Sequence, residues 1–353
     1  MSPTSDAGKV SAEVFDQVIL RQLGRHDPDV LVPPRHGVDS GILRIAPGRV
    51  LAVTSDPVFV VPAYGWQRAA WFAVHILASD VAVTGLPPRW MSVDLNLPRD
   101  LDDEDLAALW GAYAGTCDDL GIAVVAGHTG RYDGCNWPMV GGATCMAAGD
   151  DEAYVTPMMA EAGEQVVVTK GAAIEATALF AATFPDRVSA GVGPDLWRAA
   201  DALFEHMTVV PEARVAAAMG LRDRGVTAMH DATEGGVLGG LAEFAAAAGV
   251  GLRVDLAAIP LRPEARAVCQ LVGIDPYAAI SEGTMIATVR PPYAETFVTG
   301  LAEAGIEAAV VGETTPAADG AVLQDSGEMR PLEHPGLDPF WAAFEQWAAE
   351  PHP

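Results

Sequence analysis

Apolar and polar residues alternate along 90–97, where Met91, Val93, Leu95 and Leu97 stand against Ser92, Asp94 and Asn96. This period of two predicts a half-buried strand. Upstream, Trp66, Ala70, Ala73, Val74, Leu77 and Val81 recur at helical spacing before Gly85 and Pro87-Pro88, which predicts a helix over 66–84. A β-branched run from Val50 to Ser55 predicts a buried strand that ends at Asp56-Pro57. The same reading gives a helix over 105–120, a strand over 122–126 that runs into Gly127-His128-Thr129-Gly130, and a Gly-rich strand over 138–148.

Beyond Gly149 the alternation resumes, with strands expected over 165–169, 225–229, 250–255, 284–289 and 306–311. Helices are expected between them, over 173–184, 195–219, 236–248, 262–272 and 292–304. A short amphipathic segment (Val14, Val18, Ile19, Leu23) and a stretch through Pro33-Pro34 read as an entry arm. The chain therefore divides into an arm (1–35), two layered α/β domains (36–155 and 156–330) and a C-terminal helix or tail (331–353).

Half of the 353 residues are hydrophobic, enough for sizeable cores. Acidic residues outnumber basic ones 47 to 21, a net charge of −26 that repels nucleic acid and anionic membranes. The basic residues comprise 19 Arg and two Lys, Lys9 and Lys170, a surface suited to a salt-rich cytoplasm, although a GC-rich genome also favours Arg and Ala. Cys117, Cys135, Cys145 and Cys269 show no metal or disulfide spacing and read as free thiols. With no apolar run of about 18 residues and no signal-peptide pattern, a soluble, cytoplasmic protein is expected.

Neither a P-loop nor a G-x-G-x-x-G motif is present. What remains is a set of polar residues at strand or helix ends: Asp39, Asp56, Asp80, His128, Thr129, Lys170 and the segment from His230 to Gly236. Carboxylates from several strands suit Mg²⁺ and phosphate, although most of the 47 acidic residues must be solvated ones. Asp80 falls in the last turn of its helix, where the macrodipole disfavours a carboxylate; a functional placement and a hydrogen-bonded cap both explain it. Asp231 or Thr233 reads as an N-cap, and Gly235-Gly236 opens a helix whose N–H groups a phosphate could approach. Close packing of that helix on a sheet explains the glycines equally well.

Taken together, Thr54-Ser55-Asp56, the run from Ala78 to Pro88, Gly127-His128-Thr129, and Met229 to Gly236 with Ser281-Glu282-Gly283 resemble the aminoimidazole ribonucleotide synthetase (AIR synthase) superfamily. The resemblance spans roughly residues 36–315 and leans toward its hydrogenase-maturation dehydratase branch. It implies a two-domain fold whose N-terminal domain pairs with its copy in a dimeric β-barrel, ahead of a C-terminal α/β domain. It also implies use of ATP and Mg²⁺: Asp39, Asp56 and Asp80 would take metal and phosphates, Thr129 would contact the nucleotide, and Asp231, Thr233, Gly235 and Gly236 would face nucleotide or substrate. His128 and Lys170 are the expected catalytic or phosphate-contacting side chains. His128 stands where several branches carry an acid, and no Cys follows Cys269, whereas the dehydratase carries its group on a C-terminal Cys. The expected activity is ATP-dependent phosphorylation or activation of an amide, oxygen or sulfur group on a small molecule. The alternative is a non-catalytic nucleotide-binding or maturation partner.

Overall fold

The computed structural model describes residues 8–349; the outermost parts of the expected arm and tail, 1–7 and 350–353, lie outside the described residues. The chain forms two compact units. One holds Pro28–Pro33 and Asp39–Tyr154; the other holds the arm up to Asp27, Pro34–Val38 and everything from Val155 onward.

The arm opens with a single helical turn, α1 (Ala12–Val14), followed by irregular helix through Gln22. The unit of residues 39–154 contains β1 (Val30–Val32), β2 (Gly41–Ala46), β3 (Arg49–Phe59), α2 (Trp66–Ala82), β4 (Trp90–Leu97), α3 (Asp103–Leu120), β5 (Ala123–Arg131) and β6 (Met139–Asp150). Its sheet runs β1-β2-β3-β6-β4-β5, with only β4 and β5 parallel. Along β3 the even positions face inward, burying Val50, Ala52, Thr54 and Val58, and α2 packs there through Ala70, Ala73, Val74 and Leu77. Gly85 and the two prolines end α2 as the pattern predicts.

Two strands outrun their expected ends. β3 continues through Asp56 and Pro57, because beyond Val53 it no longer pairs with β2, and a register shift against β6 lies between Pro57 and Phe59. A missing proline N–H is tolerated at such a half-free, shifted position. β5 likewise absorbs Gly127-His128-Thr129-Gly130: Gly127 lies so close to β4 that a Cβ would sit 2.2 Å from the Val93 carbonyl oxygen.

The other unit contains β7 (Gln165–Thr169), α4 (Ile174–Thr183), α5 (Pro185–Val192), α6 (Pro194–Ala202), α7 (Val210–Met219), β8 (Val226–Ala232), α8 (Gly236–Ala248), β9 (Gly251–Asp255), α9 (Pro263–Val272), β10 (Thr284–Val289), α10 (Ala294–Glu303), β11 (Ala308–Thr315), β12 (Ala321–Asp325), β13 (Glu328–Pro331) and α11 (Pro339–Ala349). The sheet order is β13-β12-β9-β11-β7-β10-β8, antiparallel except at β9–β12. Its core packs Val237, Leu238, Leu241 and Phe244 of α8 with Val166 and Val168 of β7, Ala228 of β8 and Ile286 of β10. The single helix expected over 195–219 is two helices, since residues from Leu203 to Val209 turn the chain. No helix among the described residues is long and apolar enough to cross a membrane.

All four cysteines are free. Burial pushes the thiols of Cys117, Cys145 and Cys269 up to about 12, so these three behave as small core hydrophobes rather than nucleophiles.

Candidate functional site

In the unit of residues 39–154 the inward face of β3 meets the C-terminal end of α2. Thr54 Oγ1 lies 2.7 Å from Asp80 Oδ2 and 3.0 Å from the Asp39 carbonyl oxygen, its one proton shared between them. Ser40 Oγ donates to the Asp80 carbonyl at 2.8 Å. Asp80 is only 8% exposed, at the negative end of a helix. A hydroxyl donor thus faces the buried carboxyl group. Asp56 stands two residues beyond Thr54 on the same face of β3. Of the sequence-predicted acids, Thr54 thus joins the Asp80 carboxylate to the backbone carbonyl of Asp39, and Asp56 follows on the same strand face.

His128 and Thr129 lie within β5, both exposed. His128 Nε2 is 2.6 Å from Tyr132 Oη, and Thr129 lines a groove of about 390 Å³ with Leu95, Leu106 and Trp110.

Lys170 directly follows β7 and is buried, 4% exposed and with φ +55°. Its ammonium contacts Glu212 Oε1 at 2.6 Å and donates to the carbonyls of His206, at 3.0 Å, and Thr208. An ammonium has three donors, and here all three are engaged by the protein. Burial pulls Lys170 below its ordinary range while Glu212 pushes back.

β8 carries His230 and Asp231 within its fully buried run, so Asp231 is a strand residue rather than a helix cap. α8 begins at Gly235 and Gly236, with φ of +80° and +61°. Its first N–H groups have partners within the chain: Gly235 N–H donates to Asp338 Oδ2 at 2.7 Å, Gly236 N–H to the Thr233 carbonyl at 3.0 Å, and Leu238 N–H to the Tyr277 carbonyl at 3.0 Å. A Cβ on Gly236 would fall 2.6 Å from the Ala279 carbonyl oxygen, so close packing decides the glycine there.

Around this loop stand side chains that local sequence reading left unassigned. Lys9 Nζ donates to Thr233 Oγ1 at 3.1 Å, and its backbone N–H to Glu234 Oε2 at 2.8 Å. Glu243 of α8 lies between His230 (3.4 Å) and His334 (3.6 Å). Burial pushes Glu243 up, but the two imidazoles and Lys9 outweigh it and hold the carboxyl well below its usual range. Glu175, at the start of α4, accepts from Glu282 N–H at 3.0 Å; burial, with Asp338 and Glu234 nearby, pushes it up to about 8. The rarity of lysine is the signal that marks Lys9, and Glu243 sits about two turns of α8 beyond Gly236. Asp338 and His334 have no local signal, because their partners lie about a hundred residues away.

The family model described as AIR synthase related protein, N-terminal domain, matches residues 37–148, and the one described as its C-terminal domain matches 161–324. The chain belongs to the AIR synthase related family. The carbamoyl dehydratase HypE of Escherichia coli K12 is 29% identical over 307 residues, covering 84% of this chain and 85% of the relative. The solved structure of E. coli HypE, described as a hydrogenase maturation protein, superposes with a TM-score of 0.70 at 25% identity, covering 93% and 98% of the two chains. Two more distant structures share the fold: a HypE in complex with ATP (TM-score 0.65, 20% identity, 95% and 97% covered) and AaThiL complexed with AMPPCP and TMP (0.69, 17%, 92% and 97%). The two mixed sheets with layered helices are the two-domain fold of this AIR synthase-like group.

Proposed function

We propose that this AIR synthase related protein is an ATP- and Mg²⁺-dependent enzyme that phosphorylates or activates an amide, oxygen or sulfur group of a small molecule. The observation that carries the reading is the Thr54 hydroxyl shared between the buried Asp80 carboxylate and the Asp39 backbone carbonyl, with Asp56 on the same strand face, inside the matched N-terminal domain. Carboxylate oxygens fit Mg²⁺, a hard cation that shares its coordination with phosphate oxygens. Asp39, Asp56 and Asp80 would hold the ion, which supplies charge neutralisation for phosphoryl transfer. Thr54 orients the Asp80 side chain, and Ser40 bonds its backbone carbonyl. Asp231, Thr233, Gly235 and Gly236, joined by Lys9, are assigned to nucleotide or acceptor. The ATP and AMPPCP bound in two structures of the same fold support an ATP-using reading.

The same reading pairs this chain with a second copy through β5. That strand is the outer edge of its sheet, with Val124 and Val125 exposed, and an exposed apolar edge is suited to pairing.

Thermal unfolding with and without Mg-ATP tests the reading, since a ligand bound only by the folded state raises the midpoint. A rise in the natural chain that Asp56→Asn abolishes is expected, followed by ATP turnover stimulated by an amide, hydroxyl or thiol acceptor. A midpoint unmoved by millimolar Mg-ATP refutes it. Binding without turnover on any acceptor leaves a nucleotide-binding maturation partner.

A further inference from the structure

Asp338 lies just ahead of α11, 7% exposed, and its carboxylate collects backbone N–H groups from three places. Oδ2 accepts from Gly235 at 2.7 Å and Oδ1 from Phe340 at 2.8 Å, and Ile280 N–H donates to the same group. Gly235 belongs to the loop before α8, and Ile280 to the loop that leads through Ser281-Glu282-Gly283 into β10. One side chain from the end of the chain thus fastens both motif loops.

His334 supports the same contact from the other side. Its Nδ1 accepts from Gly336 N–H at 3.0 Å, which leaves the ring proton on Nε2, facing Glu243 Oε1 at 3.6 Å. The ring lies close enough to α8 that a Cβ at Gly235 or Gly239 would approach it within 3.1 or 3.2 Å. These two glycines make room for the C-terminal segment.

The segment is also anchored. Phe340, Phe344 and Trp347 of α11 meet Phe180, and Phe344 and Trp347 meet Phe184, with ring centroids 5.3–5.6 Å apart. The Arg187 guanidinium covers Trp347 at 3.9 Å and donates to its carbonyl at 2.8 Å. Aromatic pairs of this kind contribute beyond their buried area.

We propose that residues 334–349 form a latch on the loops at 233–236 and 280–283, and that Asp338 is a positioning residue which holds both loops in ligand-binding order. Asp338 touches no substrate; it acts through Gly235 and Ile280. The effect on ligands rests on the function proposed above, whereas the effect on the loops does not.

Amide hydrogen exchange and Mg-ATP titration on the full chain test the latch together. In Asp338→Ala the Gly235 and Ile280 amides should exchange at least ~10-fold faster while Ala228 in β8 keeps its protection, the pattern of local rather than global opening. Asp338→Asn keeps one acceptor oxygen and should restore much of that protection. Mg-ATP affinity should fall about tenfold in Asp338→Ala and recover partly in Asp338→Asn. If Asp338→Ala does not fold, the pair Phe344→Ala with Trp347→Ala, which frees the anchor, should speed the same two amides. Unchanged exchange at both amides, a uniform rise across the core, or unchanged Mg-ATP affinity beside faster loop exchange would each overturn the latch. A natural chain that binds no Mg-ATP refutes the proposed function instead, and the latch then stands or falls on exchange alone.

Discussion

Glu175 shows how a single buried acid couples this protein's stability to pH. Its folded-state value of about 8 lies above the ordinary 4.5, chiefly through burial. Below pH 4.5 both folded and unfolded chains carry the proton. As pH rises, the unfolded chain releases it first, so stability falls progressively until about pH 8, by roughly 1.4 kcal/mol per pH unit at most. Asp338, raised to about 6, acts in the same direction over a narrower window; Glu234 faces both groups, and Lys9 faces Glu175. Glu175→Gln keeps an acceptor for Glu282 N–H and should raise the unfolding midpoint at pH 8 while leaving it unchanged at pH 4; an equal shift at both values would sink this assignment. At Lys170 the expectation is different. Lys170→Met strands a fully buried Glu212 and should cost about 3 kcal/mol, and adding Glu212→Leu should recover most of it, as calorimetry of the three variants would show. Asp80→Asn should weaken Mg-ATP binding at least ~10-fold, about 1.4 kcal/mol, with a midpoint near that of the natural chain; isothermal titration would read it.

At the scale of elements, β5 carries the next expectation. Val125→Lys places a charge on an exposed edge strand and should shift sedimentation toward the monomer with no loss of helix signal, whereas a natural chain that sediments as a monomer would remove the pairing reading. The strands and helices were legible where periodicity is strong: 90–97 alternates and is β4, and the stripe from Trp66 to Val81 is α2. Their ends were not, because Pro57 and Gly127 act as stop signals only when a neighbouring strand needs their N–H or a Cβ's space, and tertiary pairing decides that. The same holds at the site. Asp80 stood out by opposing the helix dipole, and Thr54 and Ser40 beside it supply the compensation. Lys170 looked like a phosphate ligand because it ends a strand, yet Glu212 and two carbonyls that engage it come from 36 to 42 residues downstream. Asp338 could not be read locally at all, since its meaning lies in Gly235 and Ile280.

For the molecule as a whole, charge sets the dominant expectation. With 21 basic side chains against 47 acidic ones, even complete pairing would leave a net of −26. The pairs that do form at the surface, such as Arg44–Asp29, Arg99–Asp133 and Arg253–Glu313, are exposed on both sides. Such pairs are each worth about 0–1 kcal/mol and lose part of that in salt. Repulsion among the unmatched carboxylates is also screened, its reach falling from about 10 Å at 0.1 M salt to about 3 Å at 1 M. The unmatched charges outnumber the pairs, so the relief exceeds the loss and the unfolding midpoint should rise as KCl goes from 0.1 to 1 M. KCl is the salt to use, since sulfate would strengthen burial in any protein. Neutralising unpaired surface carboxylates should reproduce the effect: Asp118→Asn with Asp119→Asn, at the end of α3 where the helix dipole already opposes them, should raise the midpoint at 0.1 M KCl and shrink the further gain at 1 M. A midpoint that falls with KCl would mean that the surface pairs outweigh the repulsion.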